Sequence, residues 1–125
     1  MTVLAEYMDA WVAADPLRIV ATVTDDCVIT ECYGPIYRGR NRVRDWAETW
    51  FETGGQVHSW RVTDVFSTDN DVAAQWVFDY TWNNKRRRFE GATIARLANG
   101  LIAELREYET SAELYEWTGS WRTVP

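Results

Sequence analysis

Two glutamates stand among apolar residues in segments that read as strands. Glu31 has the same parity as Cys27 and Ile29, and Glu107 has the same parity as Leu105. Residues two apart on a strand point to the same face of a sheet, so both carboxylates are expected among apolar side chains. Burial raises the pKa of a carboxyl group, and two carboxylates in one cavity tend to separate their pKa values. The pattern predicts a general acid/base pair.

Each glutamate also has a purely structural interpretation. Glu31 can reach solvent at the end of a strand or pair with an arginine, and Glu107 can form a salt bridge with Arg96. Arg106 is a poor partner for Glu107, because adjacent residues on a strand point to opposite faces.

Tyr7 is the third candidate for chemistry. It lies on an apolar stripe with Leu4, Met8 and Trp11 at helical spacing. A buried phenol can donate a hydrogen bond to an oxyanion that develops during a reaction, although it can also serve only the core. No cluster of His, Cys and Asp in the sequence has metal-ligand spacing, and acid/base chemistry needs neither a metal nor another cofactor.

These side chains need helices and strands to position them. Helical periodicity predicts helices at about 2–14, 16–23 and 41–53. Alternating patterns separated by turn residues predict strands at about 26–33, 56–67, 71–83, 86–98 and 101–110. The order is helix, helix, strand, helix and a four-stranded antiparallel meander, which is an α+β fold with helices on one face of a curved sheet. Residues 1–125 are predicted to form one domain.

Aromatic residues are unusually abundant, with 8 Trp, 6 Tyr and 4 Phe in 125 residues. They can line an apolar pocket or fill a thick core. We interpret the inward-facing ones, together with Thr93, as the lining of a substrate pocket; the aromatic members are Trp11, Tyr33, Trp46, Trp50, Trp76, Phe78, Tyr80 and Phe89.

Composition restricts the partners and the compartment. The net charge of −6 argues against nucleic acid as the main partner, although residues 85–88 form a basic run at a predicted turn. No apolar run approaches the roughly 18 residues that a membrane span needs. Cys27 and Cys32 are expected on opposite faces of a strand, so we predict no disulfide between them and a reducing cytoplasmic location.

The element order and several motifs resemble the nuclear transport factor 2-like superfamily, also called the SnoaL-like or cystatin-like α+β barrel fold. The motifs are TECYGPIYRG at 30–39, FEGATI at 89–94, NGLI at 99–102 and REY at 106–108. The resemblance covers nearly the whole chain and is strongest to small bacterial members. It implies a curved, mostly antiparallel sheet wrapped around helices, forming a cone-shaped barrel with an internal apolar pocket.

Two enzyme types of this superfamily share part of their sites with the chain. Ketosteroid isomerases use a helix-1 tyrosine and a first-strand aspartate at positions that match Tyr7 and Glu31, and their protonated aspartate falls near Thr93. Limonene-1,2-epoxide hydrolases carry an aspartate at the position of Glu107 and an asparagine at that of Glu31. Their arginine–aspartate pair has no clear counterpart, so neither known set is complete in this chain.

We therefore predict a small cytoplasmic enzyme that acts on an apolar organic molecule by isomerisation, dehydration, cyclisation or epoxide opening. Glu31 would move a proton, Tyr7 would support an oxyanion or orient Glu31, and Glu107 would be a second acid or base. The alternative is a non-catalytic ligand-binding or protein-interaction domain. The resemblance also implies a homodimer through the outer sheet face, which carries charges of both signs, and the tail from Ser111 could cover the pocket or a partner subunit.

Overall fold

A computed structural model describes residues 2–122 and has the predicted α+β architecture. The helices are α1 (Val3–Val12), α2 (Pro16–Val20) and α3 (Arg40–Glu52). The strands are β1 (Val23–Thr30), β2 (Ile36–Arg38), β3 (Gln56–Ser67), β4 (Asp71–Trp82), β5 (Lys85–Ala98) and β6 (Leu101–Glu109). Among residues 2–122, none of the helices has the length and apolar character that crossing a membrane requires.

Side-chain caps fix the starts of the first two helices. The Thr2 hydroxyl oxygen accepts a hydrogen bond from the Ala5 N–H at 3.1 Å, and the Asp15 carboxylate accepts one from the Arg18 N–H at 3.2 Å. Such acceptors satisfy N–H groups that have no partner in the first turn. Helix α2 is shorter than the predicted 16–23, because strand β1 already begins at Val23.

The strands form one six-stranded sheet in the order β2-β1-β6-β5-β4-β3. Its four long strands make the predicted antiparallel meander, and Asn83 and Asn84 have the positive φ angles that tight hairpin turns require. Strands β1 and β6 pair in parallel, which the meander pattern does not predict. The sheet curves around the helices and stays open, with β2 and β3 as its edges within the described part of the chain.

The first strand begins and ends three residues earlier than predicted. Glu31 and Tyr33, which were expected inside the strand, lie instead in a turn that follows it. The Glu31 N–H donates to the Pro35 carbonyl at 3.0 Å, and the Gly34 N–H donates to the Glu31 carbonyl at 3.1 Å. Gly34 has a φ of 112°, which favours glycine, so the turn can lead into β2 and pair it back on β1.

The concave side of the sheet encloses two different interiors. Toward the start of β4 and the end of β5, small aliphatic side chains are fully buried against the helices. This aliphatic core contains Leu4, Met8, Ile19, Val23, Val43, Val72, Ala95, Ile102 and Leu105. Toward the opposite ends of the same strands, the interior is aromatic and surrounds a cavity.

Candidate active site

The parallel pairing of β1 with β6 brings Glu31 and Glu107 together. Its register pairs Ile29 with Leu105 and Thr30 with Arg106, so the residues that follow reach the same level of the sheet. Ile29 and Leu105 are buried, which identifies their parity as the inner one. Both glutamates line one cavity on this inner face.

The cavity has a volume of about 420 Å³ and is mostly aromatic. Twelve of its eighteen lining residues carry aromatic rings: Tyr7, Trp11, Tyr33, Tyr37, Trp46, Trp50, Trp60, Trp76, Phe78, Tyr80, Trp82 and Phe89. The other six are Glu31, Cys32, Pro35, Thr49, Val57 and Glu107. Within residues 2–122, no lysine, arginine or histidine belongs to this lining. Cavities of this size and character suit small organic ligands.

The two carboxyl groups have unlike environments. Burial, together with the charge of Glu31, raises the pKa of Glu107 to about 8. Burial also raises the pKa of Glu31, but the Tyr37 hydroxyl donates a hydrogen bond to its Oε1 at 2.7 Å, which favours the ionised form. No side-chain hydrogen bond found within residues 2–122 involves the Glu107 carboxyl. Of the two carboxyl groups, Glu107 therefore holds its proton more tightly, and the hydrogen bond from Tyr37 makes Glu31 the better base.

Tyr37 is a site residue that the sequence did not indicate. Its ring stacks on Trp46, with centroids 4.0 Å apart and planes 6° apart. Burial and the neighbouring Glu31 raise the pKa of Tyr37, so its hydroxyl keeps the proton that it donates to Glu31. A three-residue strand carries too little pattern to be recognised, and only the hairpin pairing of Ile29 with Tyr37 reveals the contact.

Tyr7 lies on α1 inside the cavity wall. Its ring packs edge-on against Trp11 at 6.3 Å and Trp60 at 6.2 Å. Burial and the charge of Glu107 raise the pKa of the Tyr7 phenol, which stays protonated. The buried Tyr7 hydroxyl and the Trp60 indole nitrogen have no hydrogen-bond partner among the described residues. A buried donor without a partner costs free energy, so an acceptor on a ligand would stabilise this wall.

Thr93 lies behind the pocket wall rather than in it, which corrects the prediction. The prediction that Thr93 points to the inner face of the sheet was right, since Thr93 is fully buried and pairs with Glu107 across β5 and β6. However, its hydroxyl accepts a hydrogen bond from the indole nitrogen of Trp76 at 2.8 Å, and it is not among the lining residues. Trp76 can lie flat there because it crosses Gly91, where an added Cβ would come within 2.5 Å of its ring. Thr93 thus holds the wall in place.

A polar network borders the exposed side of the cavity. The hydroxyls of Tyr33 and Tyr80 are 2.8 Å apart, and Arg87 donates to the Tyr33 hydroxyl at 2.8 Å. Arg87 also pairs with Glu109, and its guanidinium lies over the Phe89 ring at 4.7 Å from the centroid. We call these five residues the rim network. One member of the basic run at 85–88, Arg87, thus takes part in the border of the cavity.

The structure brings the three predicted chemical residues and eight of the nine predicted pocket residues into one cavity. Sequence reasoning missed Cys32, Pro35, Tyr37, Thr49, Val57, Trp60 and Trp82. Trp60 could have been found from the meander, because it lies opposite Phe78. The described part of the tail, residues 111–122, does not line this cavity: Trp117 and Trp121 are exposed and contact each other instead. Within residues 2–122, no group of three or more His, Cys, Asp or Glu residues is arranged to hold a metal ion.

A curved, mostly antiparallel sheet packed on three helices is the fold of the nuclear transport factor 2-like class of proteins. Within it, the chain belongs to the SnoaL-like domain family, whose sequence profile matches residues 4–105. A comparison with curated protein sequences gives no significant match.

Solved structures of the same fold include three of direct interest. A hypothetical protein with a ketosteroid isomerase-like fold from Catenulispora acidiphila, in complex with trimethylamine, is 17% identical, with 86% of each chain covered and a TM-score of 0.77. An LEH-like epoxide hydrolase of M. tuberculosis is 15% identical, with 86% of this chain and 80% of that chain covered and a TM-score of 0.77. A candidate polyketide cyclase of Pseudomonas putida KT2440 is 16% identical, with 89% and 93% covered and a TM-score of 0.73. At these identities the similarity shows the fold alone.

Proposed function

We propose that the protein is an enzyme that moves a proton on an apolar organic substrate held in the aromatic cavity. One observation carries the proposal: two largely buried carboxyl groups line the same cavity, and among the described residues only Glu31 receives a side-chain hydrogen bond. A base and an acid that coexist near neutral pH are what general acid/base catalysis requires. The chemistry needs no cofactor.

The three residues divide the work. Ionised Glu31 takes a proton from a substrate carbon or from a water molecule that attacks the substrate. The Tyr7 hydroxyl donates a hydrogen bond to a substrate oxygen as charge develops there. Glu107 delivers its proton to the atom that gains electron density, and proton exchange between the two carboxyl groups restores the starting state. Isomerisation, dehydration, cyclisation and epoxide opening all follow this scheme.

Two neighbours of the same fold favour part of this range. The LEH-like epoxide hydrolase and the candidate polyketide cyclase have names that point to epoxide opening and ring formation. Both reactions suit an apolar substrate in a mostly aromatic cavity, where each charge acts more strongly than in solvent.

A substrate panel with a matched pair of variants tests the proposal. Wild type, Glu31→Gln and Glu104→Gln are assayed with terpene epoxides, steroid enones and polyketide-like phenols. Glu104 is an exposed glutamate on the outer face of β6, so its variant controls for loss of a carboxylate. We expect Glu31→Gln to lose about 10²–10⁴-fold in rate on any substrate turned over, with an unchanged circular dichroism spectrum. Full activity of Glu31→Gln would end the proposal.

The second candidate is a domain of the same fold that binds a ligand or a protein without catalysis. The unpartnered donors on Tyr7 and Trp60 favour a ligand-binding domain, because they can hydrogen-bond to a ligand even when no reaction follows. Saturable binding without turnover by any member of the panel, and equal affinity of wild type and Glu31→Gln, would support this candidate.

Assembly and compartment belong to the same proposal. On the outer sheet face Phe66, Ile94 and Tyr108 are exposed apolar residues near Arg106 and Glu104, a mixture that suits pairing of two copies across a two-fold axis. We expect sedimentation at micromolar concentration to show a homodimer, and a monomer would remove this part. Cys27 and Cys32 are free thiols, as predicted. A cytoplasmic location and the absence of a nucleic-acid partner stay predictions.

A further inference from the structure

The charge inside the cavity is unbalanced. Glu31 and Glu107 line it, and the described part of the chain adds no basic side chain to the lining. Glu109 lies behind the lining residue Cys32, with its Oε2 3.5 Å from the Cys32 sulfur. The guanidinium of Arg87 is at the rim and is already paired with Glu109. The hydrogen-bond partner of Glu31 is the neutral Tyr37, so an ionised Glu31 has no counter-ion among the lining residues.

The aromatic walls make the electrostatic potential inside the cavity still more negative. The face of an aromatic ring carries partial negative charge, and indole rings attract cations most strongly. Five indoles besides the exposed Trp82 border this space: Trp11, Trp46, Trp50, Trp60 and Trp76. Rings and carboxylates together make a cavity that repels anions and attracts positive charge. A neutral ligand would leave the buried charge of Glu31 uncompensated, which costs free energy.

We propose that this cavity selects an organic cation, an amine or quaternary ammonium group on an otherwise apolar molecule. The positive group lies beside Glu31 among the indole faces, and the hydrocarbon remainder fills the aromatic cavity. This inference rests on the proposed function in using the same site, and it names the class of substrate. It differs from the proposed function in one respect: it concerns the charge of the ligand and not the reaction.

Selection of a cation must be linked to the protonation of the carboxyl pair. A cation lowers the pKa of Glu107 from about 8, so its affinity rises with pH up to about 8, and Glu107 keeps the proton that the proposed reaction uses only at lower pH than in the free protein. The other groups packed around the pair are Tyr7 on α1, Cys27 on β1, Cys32 and Tyr33 in the turn, Tyr37 on β2 and Glu109 on β6. The five phenol and thiol groups have raised pKa values and stay neutral in this range, and Glu109 is held by Arg87.

Two ligands of one shape separate charge from size. Benzyltrimethylammonium and neopentylbenzene differ only in a charged nitrogen that replaces a quaternary carbon, and neither titrates. Dissociation constants are measured by tryptophan fluorescence at pH 6 and at pH 8.5. We expect the ammonium to bind at least tenfold more tightly than the hydrocarbon at pH 8.5, and its advantage to shrink at pH 6. Equal or tighter binding of the hydrocarbon at pH 8.5 would overturn the inference.

Variants locate the effect and separate the two proposals. Glu31→Gln should remove most of the preference for the ammonium, whereas Glu104→Gln on the outer face should retain it. The comparison of the two ligands uses the wild-type protein alone, so it remains decisive even if Glu31→Gln folds poorly. If the hydrocarbon wins while Glu31→Gln abolishes turnover in the substrate panel, the cation inference fails and the proposed function stands. If the ammonium wins and nothing is turned over, the proposed function fails alone.

Discussion

The two ends of the interior share one sheet and one set of helices but differ in their side chains. At one end Val72 pairs with Ala95 across β4 and β5, and aliphatic residues pack without exposure. At the other end Trp76 and Phe78 replace them on the same strand, and a cavity of about 420 Å³ remains. The aliphatic side chains fill the space at one end, as is usual in protein interiors, whereas the rings at the other end line a cavity. Stability and the candidate site therefore have separate locations.

Contacts between rings keep the aromatic end open. The Phe78 ring lies 4.8 Å from Trp60, 5.0 Å from Tyr80 and 5.7 Å from Phe89, measured between centroids. Each such pair contributes about 0.5–1.5 kcal/mol beyond the area that it buries. The cavity wall is thus rigid before a ligand enters, which lowers the conformational entropy that binding would cost.

The largest expected effect comes from the aliphatic end. Leu105→Ala should lower the free energy of unfolding by about 2–5 kcal/mol, because Leu105 is fully buried and its neighbours cannot close the gap. Trp82→Ala at the cavity should cost much less, since Trp82 is 46% exposed. Urea unfolding of both variants measures this difference. A cost for Trp82→Ala as large as that for Leu105→Ala would contradict the division between the two ends.

The next effect is the pH dependence of the free energy of unfolding, which Glu107 at the aromatic end controls. Folding raises the pKa of Glu107 from its ordinary value of 4.5 to about 8, so the folded state binds more protons between these values. The free energy of unfolding should therefore fall as the pH rises from about 4.5 to about 8, with a limiting slope near 1.4 kcal/mol per pH unit. Glu107→Gln should flatten this slope, and Glu104→Gln should not. Urea unfolding at pH 5.5 and pH 8 tests the sign, and an identical slope in Glu107→Gln would refute it.

A smaller effect concerns the support of the base. Tyr37→Phe keeps the stack on Trp46 but removes the hydrogen bond to ionised Glu31. A hydrogen bond to a charged group contributes about 1.5–3 kcal/mol, so the pKa of Glu31 should rise further and the acidic limb of the pH–rate profile should move to higher pH. Tyr108→Phe on the outer face is the control. An unmoved acidic limb would mean that Tyr37 has only a structural role.

The smallest expected effect concerns the rim network. Tyr33→Phe keeps the ring but loses the hydroxyl contacts with Tyr80 and Arg87. Since Tyr33 is half exposed, stability should change by less than about 1 kcal/mol, while ligand dissociation becomes faster. Stopped-flow tryptophan fluorescence with benzyltrimethylammonium measures the rate. Unchanged dissociation would show that the rim network does not control passage into the cavity.

Sequence patterns predicted what depends on local spacing. Period-two alternation in the meander assigned Trp76, Phe78 and Phe89 to the inner face, and the structure places all three there. The proximity of Glu31 and Glu107 depends instead on the parallel pairing of β1 with β6, for which no local signal exists. Parity likewise could not show that Trp76 covers Thr93, because the cover depends on the small size of Gly91.

The most direct test of the account is a carbon-13 NMR titration of the side-chain carboxyl groups in the ligand-free protein, assigned with Glu31→Gln and Glu107→Gln. The account predicts that Glu107 titrates near pH 8 and that the pKa of Glu31 is raised above its ordinary value of 4.5. The Glu31→Gln variant should lower the pKa of Glu107, because one cause of its rise is then removed. Titration of both groups near pH 4.5 would contradict the central claim of a buried acid/base pair.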